Sequence, residues 1–178
     1  MAKETKKTIF INLCNLMNDY SLDEITVTLL VQKCNISRQT FYYHFSDIES
    51  LLRWGIEQST ATCVQKANQA TNMKEATFIF LSMVDEGFET ISKMINSSYN
   101  SYVTKLIKQS ILEYMTNYTV RFQGEQSLNS ANTKFLLSFI SNGITGEILT
   151  SMYTKRRLDV EATSNALSEL VFEKYINE

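Results

Sequence analysis

Residues 26–52 read Thr-Val-Thr-Leu-Leu-Val-Gln-Lys-Cys-Asn-Ile-Ser-Arg-Gln-Thr-Phe-Tyr-Tyr-His-Phe-Ser-Asp-Ile-Glu-Ser-Leu-Leu, and this stretch decides the fold. Thr26 stands just before an apolar-periodic run, where its hydroxyl can cap a helix. Val27, Leu30, Val31 and Cys34 then recur at helical spacing and form one buried face. Asn35 stops that helix, because Asn tolerates the left-handed conformation a helix stop needs. Ile36 returns the chain to the core. Ser37 is a second N-cap and opens a helix from Arg38 to about His44. Phe41 and Phe45 lie one helical turn apart, so they share a face and anchor this short helix together with Ile36. Ser46 and Asp47 cap a third helix, whose apolar face is Ile48, Leu51, Leu52 and Ile56.

The second short helix turns Arg38, Gln39, Thr40, Tyr43 and His44 outward, with Tyr42 at the edge. Each of these suits a DNA duplex. Gln39 can pair with adenine through two hydrogen bonds, and Arg38 can do the same with guanine or hold a phosphate. Thr40 can donate, accept or touch a thymine methyl. Tyr42, Tyr43 and His44 carry donors that reach phosphate oxygens, contacts that set register without reading sequence. Backbone N–H groups at the helix starts add anion sites. Two capped helices with an aromatic cluster are also what an ordinary corner of a helical bundle looks like.

The stretch resembles the N-terminal DNA-binding domain of the TetR/AcrR family of bacterial transcriptional regulators. The resemblance rests on Thr26, Ser37, Thr40, Tyr42, Tyr43, His44, Phe45, Glu49 and Leu52, and it is close here and thin elsewhere. It implies that Gln39, Thr40 and Tyr43 read bases, with Arg38 in either role, while Thr26, Ser37, Tyr42 and His44 hold the backbone. Two positions depart from the family pattern. Asn35 stands where Gly is usual. Ile48 stands where a phosphate-binding Lys is common, so weaker and less salt-dependent DNA binding is expected.

Composition sets the outer bounds. The chain has 178 residues, 44% hydrophobic and 20% charged, with no proline and five glycines. That suits one or two compact helical domains with a real core. No run reaches the roughly 18 apolar residues of a membrane span. No apolar block behind a cleavage site marks a secretory signal, so a cytoplasmic location is expected. Cys14, Cys34 and Cys63 are scattered, and there is a single His. Disulfide, metal and cofactor readings are all poor. The formal net charge of −2 argues against non-specific nucleic-acid coating, not against a small specific surface. Lys3, Lys6 and Lys7 would lie along a DNA backbone or form a solvated tail.

Along the rest of the chain, helices are expected over about 4–18, 47–67, 74–95, 99–122 (one helix or two), 131–153 and 159–175. The first carries Ile9, Leu13, Leu16 and Tyr20 on one stripe, and a polar link at 21–24 follows it. The expected fold is all-α, with about nine helices in total. Residues 1–50 form a three-helix helix-turn-helix domain, and 51–178 a helical effector-binding and dimerisation bundle. Gly143 and Gly146 cost helix propensity, which suggests close approach of another helix, from this chain or a second copy, or else a kink.

The resemblance further implies a homodimer through residues 131–175 on a palindromic operator. A two-fold dimer places two recognition helices about 34 Å apart, as such a site needs. It also implies an effector pocket among the middle helices. Phe80, Met83, Phe88, Tyr102, Tyr114 and Tyr118 either line such a pocket or are plain core, and Glu147 is either its polar handle or solvated. The leading function is therefore a repressor released by an effector. An activator, or a regulator acting through a protein partner, is the alternative. An enzyme has little support, since no phosphate loop, catalytic triad or metal spacing is visible. A protein-binding module that has lost DNA recognition is kept alive by Ile48 and by a near-neutral N-terminal domain.

Overall fold

The computed structural model describes residues 2–169, and among these it shows nine α-helices and no strand. The first four are α1 (Ala2–Leu16), α2 (Val27–Cys34), α3 (Arg38–His44) and α4 (Ile48–Ala67). The body is α5 (Met73–Glu86), α6 (Phe88–Ile95), α7 (Asn100–Gln123), α8 (Ala131–Thr154) and α9 (Val160–Leu167). Short 3-10 turns at Leu22–Glu24 and Glu125–Asn129 fill two of the connections.

Local chemistry explains the helix boundaries at the N-terminal end. The backbone N–H of Leu29 donates to the Thr26 hydroxyl at 3.2 Å, and that of Thr40 donates to the Ser37 hydroxyl at 2.9 Å. Asp47 and Ser50 cap each other reciprocally at the start of α4. Each cap satisfies a helix-terminal donor that would otherwise lack a partner. Asn35 is left-handed at φ 52°, and Ile36 N–H reaches back to Val31 C=O at 3.1 Å, closing α2 with a Schellman turn.

The core of the N-terminal helices is Ile9, Leu13, Leu30, Phe41, Phe45, Leu51 and Leu52, all buried. At about 1.5–3 kcal/mol per fully buried large side chain, these few residues dominate its cohesion. The same buried cluster continues without a gap into the body, through Cys63, Phe80, Met94, Val103, Ile111 and Ile148. Helix α4 belongs to both halves, and α7 packs against α4, α6 and α8.

Several expectations are corrected by the structure. The helix expected over 74–95 is two, parted at Gly87, whose φ −85° and ψ 4° open one turn. The apolar period runs straight through this bend, so the pattern concealed it. Tyr20 falls off the α1 stripe and is 44% exposed, because the helix ends at Leu16 and the chain turns. The supposed polar link at 21–24 is a 3-10 turn that buries Leu22. Residues 100–123 form one helix. The last helix is described only as far as residue 169, so residues 170–175 of the expected helix lie outside the described residues.

Candidate nucleic-acid interface

The anchors of α3 fix what its outer face presents. Phe41 and Phe45 are buried with ring centroids 5.9 Å apart, so the residues between and before them must point outward. Tyr43 is 80% exposed, far more than a large aromatic normally is. Its ring meets His44 edge to face at 4.9 Å. Tyr42 is half exposed, with its ring edge against Phe41. Arg38 and Gln39 are exposed, and Thr40 and His44 are partly so.

Gln39 and the Tyr43 hydroxyl have no hydrogen-bond partner among the described residues. The Thr40 hydroxyl is held at 2.8 Å by Ser37. Arg38 donates through its guanidinium to the Thr28 hydroxyl on α2. That contact braces Arg38 across the turn, and Thr28 is a residue the sequence pattern did not single out. Thr26 and Ser37 spend their oxygens on caps, so what they offer a ligand is the start of a helix.

Two further groups border this face. Lys6, on α1, places its ammonium 5.3 Å from the Phe45 ring centroid, so it is attached to the head and not a loose tail. Ile48, by contrast, is 7% exposed and packed in the core at the start of α4. The carboxyl of Asp47 beside it is held below its ordinary range, first by the Ser50 backbone N–H and then by the Ser46 and Ser50 hydroxyls.

The candidate effector residues are dispersed. Phe80 and Met83 line a cavity of about 270 Å³ between α1, α4, α5, α6 and α7. Tyr102 is half-buried on α7 and accepts a hydrogen bond from Arg53 at 2.9 Å. Phe88 is buried under the guanidinium of Arg157. Tyr114 donates to the Ala76 carbonyl at 2.7 Å and stacks on Tyr118 in the core. Burial raises the pKa of both phenols, so both stay neutral. Glu147 is exposed on α8 and borders a separate groove of about 220 Å³ beside α9. No group of three or more His, Cys, Asp or Glu among the described residues is placed to hold a metal ion. No helix among them is long and apolar enough to cross a membrane.

The fold and this face together define an all-helical protein in which a helix-turn-helix head is continuous with a helical bundle. A solved structure of the same architecture is the dihydroxyacetone kinase operon activator DhaS. The two chains superpose with a TM-score of 0.69 at 20% sequence identity, over 96% of this chain and 95% of that one. At that identity the likeness shows the fold. No family model matches the sequence, and no curated protein does.

Proposed function

We propose that this chain is a sequence-specific, double-stranded DNA-binding transcriptional regulator of the TetR/AcrR kind, acting as a homodimer in the cytoplasm. The observation that carries this reading is the outward row on α3, where Gln39 and the Tyr43 hydroxyl stand without a hydrogen-bond partner among the described residues. Side chains in that state are available for base edges and phosphates. The likeness in fold to a protein named as an operon regulator supports it.

The dimer reading is supported by α8. Phe135 and Phe139 are 68% and 65% exposed and stack at 6.1 Å on its outer face, with Tyr153 further along at 54%. Gly143 and Gly146 lie on the same helix, and a Cβ at either would meet nothing within 4 Å. Helix α8 runs through them unbroken. Close approach by a helix of this chain therefore does not explain them among the described residues, whereas a second copy would.

In the first form of this reading the protein is a repressor, and an effector in the body shifts the two heads out of register with successive major grooves. A second form, in which it activates or acts through a protein partner, is favoured by the neighbour's being named an activator. Hydroxyl-radical footprinting on a selected duplex tests the shared claim. Two protected patches about one helical turn apart are expected. A single patch would contradict the dimer.

A further inference from the structure

Residues 26–44, which carry α2, the turn and α3, contain no aspartate or glutamate. The single arginine among them is Arg38, the first residue of α3, and it is exposed. It makes no ion pair with a carboxylate among the described residues. Its hydrogen bond there runs from the guanidinium to the hydroxyl of Thr28, the second residue of α2. A positive charge at the start of a helix is opposed by the helix dipole, so the Thr28 hydroxyl is what holds the guanidinium in place.

Thr28 is suited to that task. It is partly buried and β-branched, so its side chain is stiff where that of arginine is long and flexible. Fixing an arginine costs side-chain entropy, and a brace made before DNA arrives removes part of that cost from binding. A phosphate accepts donors from many directions and gains little from a fixed guanidinium plane. Guanine O6 and N7 lie side by side on one base edge and need the plane set. The first residues of a recognition helix are the ones that meet base edges. The N–H groups of the fork that Thr28 leaves unused have no partner among the described residues, and they match that edge.

We propose that Thr28 is a positioning residue that holds the Arg38 guanidinium for a guanine, and so sets the preference for one G·C pair under α3. The proposal rests on the DNA-binding reading for its output, whereas the brace itself is present without DNA.

The first readout therefore uses the protein alone. In nitrogen NMR relaxation the Arg38 Nε should be restrained compared with that of Arg156, which is exposed and whose guanidinium has no hydrogen bond among the described residues. Thr28→Val keeps the shape, loses the hydroxyl and should free Arg38, and Thr28→Ser should keep it restrained. The second readout is binding to a duplex selected by the parent and to that duplex substituted at each position in turn. Thr28→Val should lose about tenfold of the preference at one G·C pair and leave the other positions unchanged, and Thr28→Ser should restore it. Arg38→Lys keeps the charge without the fork and should lose the same preference. The double variant, Thr28→Val with Arg38→Lys, should lose no more than Arg38→Lys alone, because Thr28 acts through Arg38. A mobile Arg38 in the parent, an equal loss at every position in Thr28→Val, a preference kept by Arg38→Lys, or losses that add in the double variant would each overturn the proposal and leave the DNA-binding reading standing. A restrained Arg38 in a parent that selects no duplex would overturn the DNA-binding reading, and the assignment to guanine with it.

Discussion

The carboxylate of Asp23 receives two hydrogen bonds from Ser98, one from its backbone N–H at 2.9 Å and one from its hydroxyl at 2.6 Å. Asp23 lies in the 3-10 turn between α1 and α2, and Ser98 in the link between α6 and α7. The contact ties the N-terminal helices to the body. Two others run beside it. Lys93 donates to the Met17 carbonyl at 2.6 Å, and Arg53 donates to the Tyr102 hydroxyl at 2.9 Å. These three contacts tie the N-terminal helices to the bundle.

This latch is measurable. Asp23→Ala should lower stability by about 1 kcal/mol, as for an exposed hydrogen-bonded pair with a charged acceptor. Ser98→Ala removes only the hydroxyl bond and should cost less. A double-mutant cycle in urea should give a coupling of at least about 0.5 kcal/mol. Strict additivity would mean that the two residues do not hold each other in solution.

Ile48 is buried at the start of α4. Ile48→Lys should therefore lower stability, by about 1–3 kcal/mol, before any gain on DNA is seen. Ile48→Leu should be nearly neutral. A fully stable lysine variant in thermal unfolding would show that this side chain turns to solvent at little cost.

Asp47 gives a pH-dependent prediction. Its folded-state pKa is depressed, mainly by the Ser50 backbone N–H, so its contribution is fully present above the unfolded carboxylate pKa of about 3.9. It is lost as pH falls through the lower folded value. Asp47→Ala should cost about 1 kcal/mol at neutral pH, and the gap to the parent should close in strong acid. A gap that persists unchanged in acid would assign the effect to packing and not to the cap.

Phe139→Glu places a charge in the middle of the exposed aromatic face of α8. Sedimentation should show the parent as a dimer and this variant as a monomer with an unchanged circular dichroism spectrum. A monomeric parent at micromolar concentration would remove α8 as the interface.

The head is legible in the sequence for a physical reason. Caps are local, and Thr26, Ser37 and Asp47 each act within three residues of themselves. The buried pairing of Phe41 with Phe45 also follows from helical spacing alone. The body is legible only as a set of apolar stripes. Spacing shows which residues of a helix turn inward, but not which of them meet across it. Phe88, Tyr114 and Tyr118 turn inward and are core, while the cavity is lined by residues such as Ile56, Val84 and Ile107. The bend at Gly87 is masked by a stripe that continues past it. The ties of Asp23 to Ser98 and of Lys93 to Met17 join residues 75 and 76 apart, beyond the reach of any local pattern. Arg121 is similar, since it donates to the carbonyls of Ala67, the last residue of α4, and of Ala70 in the link after it, from 54 and 51 residues away.

The most direct test of the central claim is selection from random duplex DNA at moderate salt, run in parallel with the parent and with a Gln39→Ala, Tyr43→Ala double variant. Both side chains are exposed and make no hydrogen bond among the described residues, so the variant should unfold at the same temperature as the parent. The parent should enrich a palindrome. The variant should bind that palindrome more weakly, by about 1–3 kcal/mol for each of the two truncated side chains. Equal enrichment of the same sequence by both proteins would contradict the assignment of α3 as the reading helix.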